Sequence, residues 1–326
     1  MLAQPRPSLS PTRFTDRDFE KFKRVNAHAA KEKQVFELVI PIIEGETNPE
    51  SRSGGIPFTN LDPLTDVMLK PGNPDVYYGA RPEQLNRHVR NELSGLITPS
   101  TQQDLPMAPN LFLAAKGPDG SLAVAERQAC YDGALGARGV HALQSYGQKE
   151  PTYDNNAYVI TLIYHGGLLK MYTTHVAPPP NAGDRPEYHM HELRGWYITG
   201  ESDSFRQGAS AYRNARDWTQ QQRNEAIMRA NEKSNEVETE APTGDATSSP
   251  TLSFMTVVSE SEACTVSQSR TSFDEDGQEE SDVSDDFVDQ ILPAKRPNTN
   301  SQHVQTRKRR DAKKNEQSKT VVDGKR

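Results

Sequence analysis

Cysteine is nearly absent: there are two in 326 residues, Cys130 and Cys264, far apart and outside any Cys-x-x-Cys spacing. That scarcity argues against a disulfide framework and a cysteine-based zinc site, and it fits a reducing compartment. Apolar residues are scarce too, at 33% with a mean hydropathy of −0.81, which is poor for a chain folded from end to end. The longest apolar stretch, VFELVIPII at 35–43, is too short to span a bilayer. The opening residues MLAQPRPSLSPTRF lack a charged segment followed by an apolar one, so the chain is expected to be neither secreted nor membrane-inserted. No Gly-x-Ser-x-Gly elbow, no cysteine placed with a histidine partner and no internal repeat is found.

Charge is unevenly distributed. Residues 1–235 hold 26 Lys and Arg against 27 Asp and Glu, and residues 236–326 hold 12 against 18, so the net −7 divides into −1 and −6. A nearly neutral first part predicts no nucleic-acid partner from sign alone. After Asn235, Ser, Thr, Glu and Asp dominate to about residue 290, and a basic block follows. Neither block carries enough apolar surface to offset its ordering entropy, so residues 234–326 are expected to be a disordered, acidic-then-basic tail. Residues 1–13, rich in Pro and Ser, are expected to be a disordered lead-in.

Within the basic block, Lys295 and Arg296 are followed, ten residues on, by Arg307, Lys308, Arg309 and Arg310. Two cationic clusters on a solvated linker can reach two acidic grooves of one receptor, the spacing of a bipartite nuclear import signal. The expectation is nuclear localisation with a nuclear import receptor as partner; a basic arm that binds nucleic acid nonspecifically coexists with it. Thr271 and Ser272, ahead of Asp274 and Glu275, are candidate acid-directed kinase sites, where phosphate would deepen acidic screening of the basic block.

Between these ends, residues 14–233 read as one α/β (α+β) domain, a small mixed sheet flanked by helices. Thr15 caps a helix, with Asp18 completing a capping box, and the apolar spacing predicts that it continues until Pro41 ends it. Residues 44–73 are loop-like. A strand over PDVYYGA is followed by a helix from Pro82 that buries Leu85, Val89 and Leu93, and then by the strand NLFLAAK ending at Lys116. The helix after it, expected over SLAVAERQACYDGALGARGVHALQSY at 121–146, is rich in Ala and Gly, suited to close packing on a sheet. The stretch at 156–176 predicts a hairpin turning at His165-Gly166-Gly167. Helices are expected near 188–197 and from about Asp203 to Ala230.

Pro74-Asp75 opens one strand and Lys116 closes the next. This alternation resembles the PD-(D/E)xK phosphodiesterase fold. The resemblance implies that a first-strand Asp and a second-strand Asp or Glu bind Mg²⁺, while a Lys two residues later assists the attacking water and the developing phosphate charge. Hard oxygen ligands and a nearby cation suit that chemistry. Asp75 matches the first ligand and Lys116 the lysine. Ala114 departs from the pattern, because a methyl group cannot coordinate a metal. In some nucleases of this fold the acid has migrated to the following helix, which here carries Glu126 and Asp132. Gln128 and Tyr131 are similar to the Gln and Tyr that follow the lysine in RecB-type members, and Glu32 or Glu37 could stand for an additional ligand on the first helix. The wider texture, from FTDRDFEKFKRVNAHAAKEKQVFELVIPIIEG to AYRNARDWTQQQRNEAIMRAN, resembles a filamentous-fungal family of uncharacterised nuclear-type proteins. The resemblance implies Glu at the place of Ala114.

Other constellations point to structure. His189 and His191 with Glu192 lack a third metal ligand in view. Gly133, Gly136 and Gly139 suit close packing rather than a phosphate cradle, and Arg213, Arg216 and Trp218 suit a docked helix face. The expected function is a catalytically impaired PD-(D/E)xK-like module in the nucleus that binds nucleic acid or a nuclear protein partner. One alternative is a Mg²⁺-dependent phosphodiesterase using Asp75, Lys116 and a migrated Glu126, with Asp75 and Glu126 as metal ligands. The other is a non-enzymatic nuclear scaffold.

Overall fold

A computed structural model describes residues 1–65, 69–102 and 104–240, without the side chains of 237–240. The import-signal residues Lys295, Arg296 and Arg307–Arg310, the kinase sites Thr271 and Ser272, and Cys264 lie outside the described residues. In chain order the elements are α1 (Asp16–His28), α2 (Glu32–Gln34), α3 (Ile40–Glu44), β1 (Arg52–Ser53), β2 (Val76–Ala80), α4 (Arg87–Glu92), α5 (Ser94–Ile97), β3 (Met107–Lys116), α6 (Leu122–Ser145), β4 (Val159–His165), β5 (Leu168–Ala177), β6 (Glu187–Tyr197) and α7 (Ser202–Glu240). The six strands form one sheet in sequence order. Every neighbouring pair is antiparallel except β3 and β4. Those two run parallel because α6 carries the chain back across the sheet.

The start of α1 is fixed as the sequence predicts. The Thr15 hydroxyl accepts from the Asp18 N–H, while the Asp18 carboxylate accepts from the Thr15 N–H at 2.9 Å. Pro41 does not end the first helical run. The run breaks at Ala29–Lys31, resumes at Glu32, and widens into a π turn over Val35–Val39 before α3 begins. In a π turn the ring closes on a residue five positions on, here from the Ile40 N–H to the Val35 carbonyl. The wider turn accommodates Pro41, which has no N–H to give.

The segment 188–197 is a strand, not the expected helix. It pairs with β5 along nearly its whole length, with one bulge at Met171/Tyr172. The free edge of β5 offers a row of unsatisfied backbone groups that outweighs local helix preference. Residues 1–13 are not a loose lead-in. Leu9 is buried in the core, Arg6 pairs with Asp217 at 2.6 Å, and the carbonyls of Leu2 and Gln4 accept from the Asn214 side chain.

One core lies between the sheet and the helices α1, α3 and α7, built on Phe22, Ile40, Leu113, Leu162, Phe205 and Tyr212. On the opposite face α6 packs close to the strands. A Cβ at Gly133 would meet the Thr174 hydroxyl at 2.5 Å, one at Gly136 the Phe112 ring at 2.6 Å, and one at Gly139 the Leu96 carbonyl at 2.9 Å. The three glycines therefore serve close packing, as their spacing implies. The β4–β5 hairpin turns on Gly166 and Gly167, with φ of +57° and +87°, the left-handed conformation that a two-residue turn between twisted strands requires. Among the described residues no helix is long and apolar enough to cross a membrane.

Candidate functional site

β2 and β3 pair with Val76 opposite Leu113, so one step back along the register Asp75 stands opposite Ala114. Lys116 follows Ala114 by two residues and therefore shares its face of the sheet. The Asp75 carboxylate accepts the Ala115 N–H at 2.8 Å. Lys116 does not reach solvent at the strand's end. It is 1% exposed and donates to both carboxylate oxygens of Glu32, each at 3.3 Å. Gly117 allows this approach, since a Cβ there would come within 2.9 Å of the Glu32 nitrogen.

The fourth member is Asp132 of α6, 4% exposed. Its carboxyl is held well above the ordinary carboxylate range, first by burial and then by the charge of Asp75, with Lys116 opposing. Asp75 is also shifted up by burial of its carboxyl, against Lys116 and the Ala115 N–H. The Asp75 charge thus raises the affinity of Asp132 for a proton, as expected of two carboxyls buried close together. The chain folds over them at Gly72, where a Cβ would sit 3.1 Å from the Asp132 carboxylate and 2.9 Å from Leu135. His165 lies beside Lys116 in the parallel register, and its Nε2 is buried with no hydrogen-bond partner among the described residues.

Glu126 goes elsewhere. It accepts from Lys170 at 2.8 Å and from the Tyr172 hydroxyl at 3.0 Å, and Lys170 also reaches Glu192 at 2.9 Å. Chiefly the Lys170 hydrogen bond holds Glu126 below its ordinary pKa. Of the two acids on α6, the structure brings Asp132 to Asp75 and Lys116, and engages Glu126 with β5 and β6. Ala114 packs with Ala125, Ala129, Ile163 and Tyr172. Tyr131 is half-buried against the cluster of Phe58, Tyr77 and Phe112. The Gln128 Oε1 is buried without a hydrogen-bond partner among the described residues.

The remaining polar motifs are structural. Arg213 donates to the carbonyls of Ile43 at 3.0 Å and Ile42 at 3.1 Å, and Arg216 to that of Glu44 at 3.1 Å. They satisfy the orphan carbonyls at the end of α3. Trp218 packs against the main core. Sequence reasoning missed Glu44, a buried carboxylate that accepts from Tyr78 at 2.6 Å, Tyr212 at 2.9 Å and Arg52 at 3.1 Å. Its partners lie on three separate elements, and no local spacing announces them.

Resemblance to the PD-(D/E)xK fold implies Mg²⁺. The residues present do not complete such a site: among the described residues no group of three His, Cys, Asp or Glu could hold a metal. Asp75 and Asp132 are both drawn towards protonation, and Ala114 offers no oxygen. The fold and site define a mixed α/β domain whose six-stranded sheet carries a buried carboxyl–ammonium cluster at one end of β2 and β3. The chain belongs to the family described as Domain of unknown function (DUF7924), whose family model matches residues 15–231. No curated protein and no solved structure matches it.

Proposed function

We propose that this chain is a catalytically impaired PD-(D/E)xK-like module that works in the nucleus by binding nucleic acid or a nuclear protein rather than by cutting. The observation that carries the reading is the shared face of Asp75, Ala114 and Lys116, with a methyl group where a metal-binding acid would stand. The order of an antiparallel β2–β3 pair, a helical crossover and a parallel β4 supports the same kinship. Lys116 stays buried and paired with Glu32, so its charge compensates carboxylates and is not presented to solvent. Import rests on the two basic clusters of the tail.

The test is a cleavage assay of the full chain on single- and double-stranded DNA and RNA with Mg²⁺ or Mn²⁺. Wild type and Lys116→Ala are expected to be inactive, and Ala114→Glu to gain metal-dependent cleavage that a second Lys116→Ala change removes. Fluorescence anisotropy on the same nucleic acids separates a nucleic-acid binder from a protein binder. Charge reversal at Lys295, Arg296 and Arg307–Arg310 is expected to leave a tagged copy outside nuclei.

The alternative of a Mg²⁺-dependent phosphodiesterase using Asp75, Lys116 and Glu126 is disfavoured, because Glu126 is engaged by Lys170 and Tyr172 away from Asp75. Metal-dependent cleavage by the wild type would refute the impaired reading.

A further inference from the structure

We propose that the exposed face of α1, carrying Arg17, Lys21, Arg24 and His28, lies along the sugar–phosphate backbone of a nucleic-acid duplex. The inference rests on the nucleic-acid arm of the reading above and gives it a surface on the folded domain. The four residues follow one another at steps of four, three and four. That spacing keeps them within about 60° of one another around the helix axis and spreads them over about 16 Å along it. All four are exposed. The opposite side of α1 enters the core through Phe19 and Phe22.

Positive charge is concentrated here. Residues 13–33 hold seven Lys and Arg against four Asp and Glu, in a domain that is otherwise close to neutral. The acids of the segment are already engaged. Asp16 pairs with Arg206 at 3.1 Å, Glu20 with Lys23 at 3.3 Å and Glu32 with Lys116 at 3.3 Å. Asp18 accepts from the Thr15 N–H at 2.9 Å and the Thr15 hydroxyl at 2.7 Å, and Lys21 and Arg17 act on it only through space. Among the described residues Arg17, Lys21 and Arg24 enter no ion pair. Helix stability does not account for the set. Cations suit the last turn of a helix, but Arg17 stands in the first turn of α1, where the helix dipole disfavours one.

The chemistry of the face selects the partner. A folded protein is anchored by aromatic or apolar residues near the centre of its interface, and a single strand by aromatic side chains on which its bases stack. The stripe offers neither, since no large exposed apolar side chain among the described residues lies on α1. A row of cations without an apolar centre suits the regularly charged backbone of a duplex, whose phosphates arginine binds bidentately. α1 ends at His28, and Glu32, four residues on, is the partner of Lys116. The row of cations therefore runs towards the end of the sheet where Asp75 and Lys116 lie.

The experiment is fluorescence anisotropy of the full chain on a labelled DNA duplex of about 20 base pairs, from about 50 to 200 mM NaCl. The variant Arg17→Gln/Lys21→Gln/Arg24→Gln is expected to weaken binding about tenfold or more. It should also make the slope of log K against log salt shallower by about 2–3, because each phosphate contact contributes about 0.9. The control Lys23→Gln/Lys149→Gln/Arg229→Gln removes as much charge off the stripe and should change affinity less than about threefold. The stripe residues are exposed, so the thermal melt should not move. If it does, Lys21→Gln alone decides, with an expected slope change of about 0.9. A wild-type chain that binds no duplex refutes the nucleic-acid reading and the inference with it. Wild-type binding that the stripe variant leaves unchanged, or equal losses in both triple variants, overturns the inference and leaves the nucleic-acid reading standing. Polyglutamate that displaces the duplex as well, charge for charge, as unlabelled DNA would assign the stripe to an acidic protein and overturn it too.

Discussion

The Asp75 carboxylate accepts the backbone N–H of Ala115 at 2.8 Å, tying the first residue before β2 to the middle of the sequence Ala114-Ala115-Lys116. That bond fixes Asp75 on the face where Lys116 is buried, and it makes the pair a structural unit whether or not chemistry occurs there.

Removing the ammonium tests that unit. Lys116→Met leaves Asp75, Asp132 and Glu32 without the cation that offsets them, and stability should fall by about 3 kcal/mol, as for other buried pairs broken on one side. Adding Asp75→Asn should recover part of the loss, giving a coupling of at least about 0.5 kcal/mol. Urea unfolding reads both. An unfolding midpoint that Lys116→Met leaves unmoved would show that the cluster carries no such energy.

The pH dependence of Asp132 has a defined sign. Its folded pKa is raised well above the ordinary 3.8, so between the two values the folded state binds more protons than the unfolded state. Its contribution to stability is complete below about pH 4 and is lost as pH rises through the folded value. Asp75 contributes with the same sign. Asp132→Asn should therefore gain melting temperature relative to wild type as pH rises, measured by thermal melts from pH 4 to 8. A difference that shrinks with pH would contradict it.

Glu126 and Asp132 should separate functionally. In an Ala114→Glu background with restored cleavage, Asp132→Asn should lower the rate about tenfold or more through the altered cluster, and Glu126→Gln should leave it within about twofold. Equal losses would mean that the partition of the two acids is not what matters.

Glu44→Ala should be among the most damaging single changes. It removes the shared acceptor of Tyr78, Tyr212 and Arg52 and strands buried donors, at a cost of about 3 kcal/mol or more; Glu44→Gln, which keeps one acceptor, should cost less. Denaturant midpoints of the two variants decide the order.

Gly136→Ala sets helix propensity against packing. Alanine is favoured in a helix by about 1 kcal/mol, but its Cβ would lie 2.6 Å from the Phe112 ring and 2.9 Å from the Pro109 carbonyl. Overpacking of this kind costs about 1–3 kcal/mol, so net destabilisation is expected by calorimetry.

Local chemistry made much of this legible from sequence. The Thr15 cap, the Gly166-Gly167 turn and the span of α6 each follow from residues adjacent in the chain. The meeting of Asp75 with Lys116 was expected only through the resemblance to the PD-(D/E)xK pattern, since the long connection between β2 and β3, which carries α4 and α5, sets no register by itself. Glu126 and Asp132 were not separable. They stand six residues apart, about 120° around one helix, and only the rotation at which the glycine face of α6 seats on the sheet decides which one meets Asp75.

The sequence by itself determined the capped helix α1, the strands β2 to β5, the small-residue face and the presence of an acid-poor Asp–Lys motif, because these depend on short-range sterics and hydrogen bonding. The tertiary structure decided that 188–197 is a strand, that residues 1–13 dock on α7, that Pro41 is absorbed by a π turn, and that Asp132 rather than Glu126 faces Asp75. Each of these depends on a partner distant in the chain, whose unsatisfied backbone or apolar surface outweighs the local preference.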